Sequence, residues 1–230
     1  RFEIKSFHNC PEDVIIHQYT GGTTGISKGA MLTNQSVIAN MLQIKAWMQQ
    51  HLVEGKEVTL SPLPMYHIFA FTVNCLGMLL VGAHTVLVTN ARDIPSVIKE
   101  FKRNKITLMT GINTLFNALV NREEFKTCDF SGLKITVGGG MAIQKAVADR
   151  WKEITGCVLT EGYGMTESSP LLTVNPLDGS GKQGSIGMPV SSTDMMIVND
   201  EGIPVAVGEP GEIIAKGPQI MKGYYNQPGE

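Results

Sequence analysis

Short apolar runs alternate along this chain with stretches of helical period, and that alternation predicts its architecture. Strands are expected at Val14–Tyr19, Val58–Leu63, Thr85–Val88, Ile106–Thr110, Lys134–Val137 and Val158–Thr160. Between them, apolar positions recur every three or four residues. Val37, Ile38, Met41, Leu42 and Met48 form one such stripe, with Thr33 placed as its N-cap. Asp93-Ile94-Pro95 opens a second helix with a capping side chain and an early proline, and Val97, Ile98 and Phe101 supply its buried face. A third helix carries Val147, Trp151 and Ile154 and terminates at Gly156.

Strand, helix and strand at this spacing predict parallel βαβ units. The fold class is therefore α/β, with a mostly parallel sheet covered by helices on both faces, which explains why its strands read as continuous apolar runs. Ile68–Val81 is expected to form a buried helix, since it is shorter than the roughly 20 residues of a bilayer span and contains Thr72 and Asn74. After Pro176 the pattern changes. Asp178-Gly179-Ser180-Gly181 is a segment of small residues. Beyond it, the turns Asp200-Glu201-Gly202 and Pro210-Gly211 separate short runs such as Met195–Val198 and Glu212–Ala215. This predicts an α/β part over residues 1–176 and a small antiparallel, β-barrel-like part over 177–230.

Composition narrows the class. Hydrophobic residues make up 43% of the 230 and charged residues 17%, enough to build a core and inconsistent with a disordered tail. Nineteen basic residues against 21 acidic ones give a net charge of -2, so no nucleic-acid partner is implied. The four cysteines, Cys10, Cys75, Cys128 and Cys157, are far apart and form no C-x-x-C pair. They read as reduced thiols in a cytoplasmic protein rather than a disulfide framework or zinc site. The chain begins at Arg1-Phe2-Glu3 without an initiator methionine and stops at Pro228-Gly229-Glu230, so it is read as a fragment of a longer protein.

Four segments carry candidate chemistry. Tyr19–Gly29 follows an apolar strand and packs four glycines, three threonines, Ser27 and Lys28 together. Such a loop bends sharply, exposes backbone N–H groups and adds hydroxyls and a cation, which suits a polyphosphate. It is not a P-loop, because Lys28 is preceded by Ser27 and followed by Gly29. In Glu161-Gly162-Tyr163-Gly164-Met165-Thr166-Glu167, Tyr163 can lay its ring on a planar base. Thr166 can bond a phosphate oxygen, and Glu167 can hold a hard cation such as Mg²⁺. Gly138-Gly139-Gly140 lets another group approach the backbone closely, or is simply a βα turn. Pro64-Met65-Tyr66-His67 ends an apolar run, where His67 lines a pocket or is merely structural.

With these segments in this order, the sequence resembles the adenylate-forming superfamily of acyl-CoA synthetases, peptide-synthetase adenylation domains and luciferases. Within it, the resemblance is greatest to bacterial long-chain fatty acid–CoA ligases. Asn90–Pro95, Gly211-Glu212-Ile213 and Gly223-Tyr224-Tyr225 extend it over essentially the whole chain. Two departures stand out: Gly21 where the family often has serine, and Ser27 where proline usually precedes the lysine.

The resemblance implies that ATP and a fatty acid react to acyl-AMP and pyrophosphate, after which coenzyme A displaces AMP. Carried onto this chain, Thr20, Gly22, Thr23, Thr24, Gly25 and Lys28 would hold the ATP phosphates. Thr166 would contact the α-phosphate, and Glu167 would bind Mg²⁺. Gly138, Gly139, Gly140, Gly162 and Tyr163 would form the adenine slot, with Glu161 at the exocyclic amine. His67, counted with Thr166 and Glu167 among the catalytic residues, would lie with Tyr66 and Phe69 beside the reacting carboxylate and the acyl pocket. A ribose-binding aspartate, a hinge and a lysine-bearing C-terminal domain would lie beyond Glu230, leaving this piece inactive alone. Alternatives are an adenylating domain for another carboxylic or amino acid, or a non-catalytic nucleotide- or acyl-binding module. Peripheral membrane association and a homodimer are left open.

Overall fold

The computed structural model describes residues 9–20, 27–227 and 229. In chain order they form β1 (Val14–Thr20), β2 (Lys28–Thr33), α1 (Asn34–Met48), β3 (Val58–Ser61), a π-helix (Ala70–Gly77), α2 (Met78–Leu80), β4 (His84–Leu87), α3 (Ile94–Arg103), β5 (Leu108–Gly111), α4 (Asn113–Val120) and α5 (Glu123–Lys126). There follow β6 (Ile135–Gly138), α6 (Lys145–Thr155), β7 (Leu159–Gly164), a 3₁₀ turn (Thr166–Ser168), β8 (Leu171–Val174), β9 (Met188–Pro189), β10 (Asp194–Val198) and β11 (Glu212–Lys216).

Seven strands make one sheet in the order β4-β3-β5-β6-β7-β8-β9. The strands from β4 to β7 run parallel, and β8 and β9 close the far edge antiparallel. Every residue of β5 and β6 is buried, as expected for central strands covered on both faces. One face packs Leu60, Met109 and Leu159 against Phe101, Phe116, Phe125 and Trp151 from α3–α6. There the Phe116 and Trp151 rings meet edge-on at 4.9 Å. The other face packs Leu108, Ile135 and Val137 against Ile44 and Met48 of α1, Val73 of the π-helix and Met78 of α2. After β9, β10 and β11 pair antiparallel as a separate two-stranded sheet. Among the described residues, no helix is long and apolar enough to cross a membrane.

Local signals place the helix ends where the sequence puts them. Thr33 Oγ1 accepts from Ser36 N–H at 3.1 Å, Asp93 caps α3 through Ser96 N–H, and Gly156 ends α6 with φ of 73°.

Three expectations change. Val14–Tyr19 does not join the parallel sheet; as β1 it pairs antiparallel with β2, and its alternating half-exposure is that of a hairpin. Ile68–Val81 is not one regular helix. A π-helix occupies its centre, where Asn74, fully buried, donates to Ser61 Oγ and Thr110 Oγ1, while Thr85 Oγ1 donates to the Asn74 carbonyl at 3.1 Å. Finally, the strand expected at Val158–Thr160 does not stop at Thr160 but runs on as β7 through Gly164.

Candidate functional site

The carboxyl ends of β6 and β7, the β1–β2 hairpin and the loop before the π-helix enclose a cleft of about 600 Å³. This is where ligands bind in open α/β sheets. Thr20 and Lys28 enter it from opposite strands of the hairpin, as direct cross-strand partners. Ser27 Oγ donates to Thr20 O at 2.7 Å and closes the mouth of the hairpin. Gly22, Thr23, Thr24 and Gly25 lie outside the described residues.

Opposite the hairpin, β7 delivers Gly162 and Tyr163, and the 3₁₀ turn presents Thr166 and Glu167. Ser168, buried, fixes that turn: its hydroxyl accepts from Met165 N–H at 3.1 Å and donates to the Pro170 carbonyl. Gly164 allows β7 to run against the returning chain: a Cβ there would sit 1.9 Å from Pro170 O. Gly138, Gly139 and Gly140 form the floor. The Phe69 ring lies 3.2 Å from where a Gly139 Cβ would stand, so a side chain there would crowd the ring against that wall.

Tyr66, His67 and Phe69 complete the cleft together with Ile68. Gln18 Nε2 donates to Tyr66 O at 3.0 Å and ties this loop to the hairpin. His67 Nδ1 accepts from Phe69 N–H at 3.2 Å. Loss of water around the ring lowers its pKa below the ordinary 6.5. The imidazole is therefore neutral, with its second nitrogen as an N–H donor.

What brings Lys28 and Glu167 together is a short chain segment, Met221–Tyr225. It adds beside β2 through Lys222 N–H to Met31 O, Met31 N–H to Gly223 O, and Tyr225 N–H to Gly29 O, all between 2.8 and 2.9 Å. At its start, Met221 N–H donates to Glu167 O at 2.8 Å. Tyr224 then donates from its hydroxyl to Glu167 Oε1 at 2.6 Å, while Lys28 Nζ lies 5.2 Å from the centre of its ring. Burial, and then the neighbouring carboxylate, push the Tyr224 pKa up to about 12, so it stays a donor at any ordinary pH. No local pattern ties Tyr224 to Glu167, 57 positions earlier, and the sequence alone does not reveal this link.

Glu161 is not brought to the cleft. Its two carboxylate oxygens accept from Ile143 N–H at 3.1 Å and Gly184 N–H at 2.7 Å, and it lines a separate cavity of about 160 Å³. Among the described residues, no group of three or more His, Cys, Asp or Glu forms a protein-only metal cage. A lone carboxylate facing a cleft nevertheless fits Mg²⁺, which is commonly held by one or two carboxylates together with substrate phosphates and water.

Known proteins resemble the chain along nearly its whole length. A long-chain-fatty-acid–CoA ligase of Salmonella typhimurium is 52% identical over 217 residues, covering 94% of this chain and 39% of the relative. The corresponding ligase of Bacillus subtilis is 39% identical, covering 95% and 39%. The chain thus spans about two fifths of the length of these curated relatives. Among solved structures, an ATP-bound RpMatB-BxBclM chimera superposes with a TM-score of 0.89 at 25% identity, over 99% of this chain and 44% of the other. A long-chain-fatty-acid-CoA ligase (FadD1) from Archaeoglobus fulgidus does so with a TM-score of 0.78 at 28% identity, over 94% and 44%. The family model described as AMP-binding enzyme matches residues 4–225, and the chain belongs to that family.

Proposed function

We propose that this chain is the nucleotide- and acyl-binding part of an AMP-forming long-chain fatty acid–CoA ligase. The intact protein activates a fatty acid with ATP to acyl-AMP and pyrophosphate, then transfers the acyl group to coenzyme A. The observation that carries this reading is the convergence of Lys28, Thr166 and Glu167 on one cleft floored by Gly138–Gly140.

The chemistry brings a carboxylate anion to a polyanion, so repulsion and developing charge must be offset by preorganised donors and cations. Lys28 and the Thr20 hydroxyl hold the β- and γ-phosphates, and Thr166 bonds an α-phosphate oxygen. Glu167 holds Mg²⁺, which when bound neutralises charge on the phosphate oxygens. Tyr163 and the three glycines bound the adenine slot. The neutral His67 offers its N–H beside the fatty carboxylate, and Tyr66, Ile68 and Phe69 give an apolar entrance for the acyl chain. Glu167 is the sole acidic residue among those described along the cleft, which favours an acyl chain over a substrate bearing an ammonium group.

The test is palmitate-dependent ATP–pyrophosphate exchange by the intact protein, run against a panel of fatty, aromatic and amino acids with AMP release measured. Fatty acids should lead the panel. Glu167→Ala should lower exchange by more than the roughly 10–100-fold typical of losing a residue that merely orients a metal ligand. Unchanged exchange in that variant would remove the site assignment.

A further inference from the structure

We propose that Gln219 is a positioning residue: through a buried amide network with Gln43 and Asn40, it holds the Tyr224–Glu167 pair in register with the Lys28 hairpin. The inference rests on the functional reading above and adds a residue outside the cleft lining.

Gln219 and Asn40 are fully buried and Gln43 nearly so, at 6% exposure. Burying three primary amides costs free energy unless each finds partners. Here they do. Asn40 exchanges both hydrogen bonds with the Leu171 backbone, donating to its carbonyl at 2.9 Å and accepting from its N–H at 3.0 Å. Asn40 Nδ2 also donates to Gln43 Oε1 at 2.9 Å. Gln43 Nε2 reaches Ser191 O at 2.6 Å and Gln219 Oε1 at 3.2 Å. Gln219 Nε2 donates to Thr193 Oγ1 at 2.7 Å and lies 3.4 Å from Leu171 O. The preceding turn is shaped around this amide, since a Cβ on Gly217 would lie 2.3 Å from Gln219 Oε1.

The network joins the pieces of backbone whose alignment the site needs. Asn40 and Gln43 stand on α1, which Thr33 caps directly after β2, the strand that begins at Lys28. Leu171 lines the cleft just past the 3₁₀ turn that carries Glu167. Gln219 lies two residues before Met221, the first residue of the segment that pairs with β2 and bears Tyr224. A short added strand specifies its register weakly, and a slip of one residue turns every side chain to the opposite face. Such a slip would carry the Tyr224 hydroxyl away from Glu167. An amide bonded at both ends to distant backbone and side chains prevents it.

The test uses the intact protein, with Gln219→Met (similar volume, no amide), the milder Thr193→Val, Tyr224→Phe and the Gln219→Met/Tyr224→Phe pair. ATP binding is measured by calorimetry with Mg²⁺ and with EDTA. Gln219→Met should lose about tenfold of the affinity that Mg²⁺ adds, the scale of removing an outer-shell partner, with EDTA affinity unchanged. In the Tyr224→Phe background it should add less than twofold, because it acts through that tyrosine. Equal losses with and without Mg²⁺, or multiplying losses in the double variant, would overturn the proposal. Wild-type protein that binds no ATP would instead sink the functional reading. Hydrogen exchange then decides the inference without nucleotide: the Met31 and Tyr225 amides should exchange faster in Gln219→Met and Thr193→Val while α1 amides do not. Unchanged exchange at those two amides would overturn it.

Discussion

The Tyr224 hydroxyl donates a 2.6 Å hydrogen bond to Glu167 Oε1 while its ring faces Lys28 Nζ at 5.2 Å, so one side chain joins the carboxylate and cation sides of the cleft. Both partners bias the same aromatic residue. Burial, and after it the carboxylate, keep the phenol protonated, and the ring face offers the ammonium a partly apolar neighbour.

Tyr224→Phe keeps the ring and removes the hydroxyl. Hydrogen bonds to charged groups contribute about 1.5–3 kcal/mol, and one unit of log rate is about 1.4 kcal/mol. Acyl-adenylate formation by the intact protein should therefore fall about 10- to 100-fold, with a higher Mg²⁺ requirement. An unaltered Mg²⁺ titration would show that the bond does not orient Glu167.

The caps at Thr33, Asp93 and Gly156 were legible because each is decided within a few residues of the chain. The parallel core was legible for a related reason: strands buried on both faces are short runs of apolar and β-branched residues, as Leu108–Met109 and Ile135-Thr136-Val137 are. What failed to show depends on distant atoms. Lys28–Thr33 has no alternation to mark it as a strand, and it becomes one because Tyr19 and its neighbours stand opposite. Within the π-helix, Asn74 bonds Ser61 and Thr110, distant partners that helical periodicity cannot express. In the site, Lys28, Thr166 and Glu167 were readable as chemistry, whereas Tyr224 enters through a strand pairing that no spacing rule announces. Glu161 looked equally chemical in its motif, but its oxygens are taken by two backbone N–H groups.

Gly164→Ala should disrupt the cleft wall without touching a polar group. The added Cβ would overlap Pro170 O, a backbone atom that cannot rotate away, so β7 and the returning chain must separate. Overpacking of this kind costs about 1–3 kcal/mol and occasionally more. A lower urea midpoint with an unchanged denaturant slope is expected, and an unshifted midpoint would contradict the close approach.

At the opposite ends of the strands, Glu57 is buried at 2% exposure and accepts from Lys134 Nζ and Val53 N–H, each at 2.7 Å. Burial pushes its pKa up, but the bonds from Lys134, Thr107 and Val53 outweigh it and hold it below the ordinary 4.5. The carboxylate thus stabilises the fold above that value, and the contribution is lost as pH falls through the lower folded-state pKa. Lys134→Met leaves the buried carboxylate without its cation and, since Lys134 is itself partly exposed, should cost about 1–3 kcal/mol at neutral pH. Because protonation relieves the stranded carboxylate, the stability gap from wild type should narrow on acidification. A gap independent of pH would mean that Glu57 does not depend on Lys134.

His67 supplies the converse case at the cleft itself. Its folded-state pKa lies below 6.5 through loss of water around the ring, and Nδ1 is occupied as an acceptor from Phe69 N–H. The folded chain therefore binds fewer protons than the unfolded one between the two values. Stability from this group is complete above 6.5 and falls as pH drops through that window. Protonation also removes the Nδ1 acceptor and frees the loop that holds Phe69 against Gly139. Exchange activity of the intact protein should decline on the acid side below 6.5, and His67→Gln should lower the plateau while abolishing that acid limb. An acid limb of the same position and steepness in the variant would assign the titration to another group.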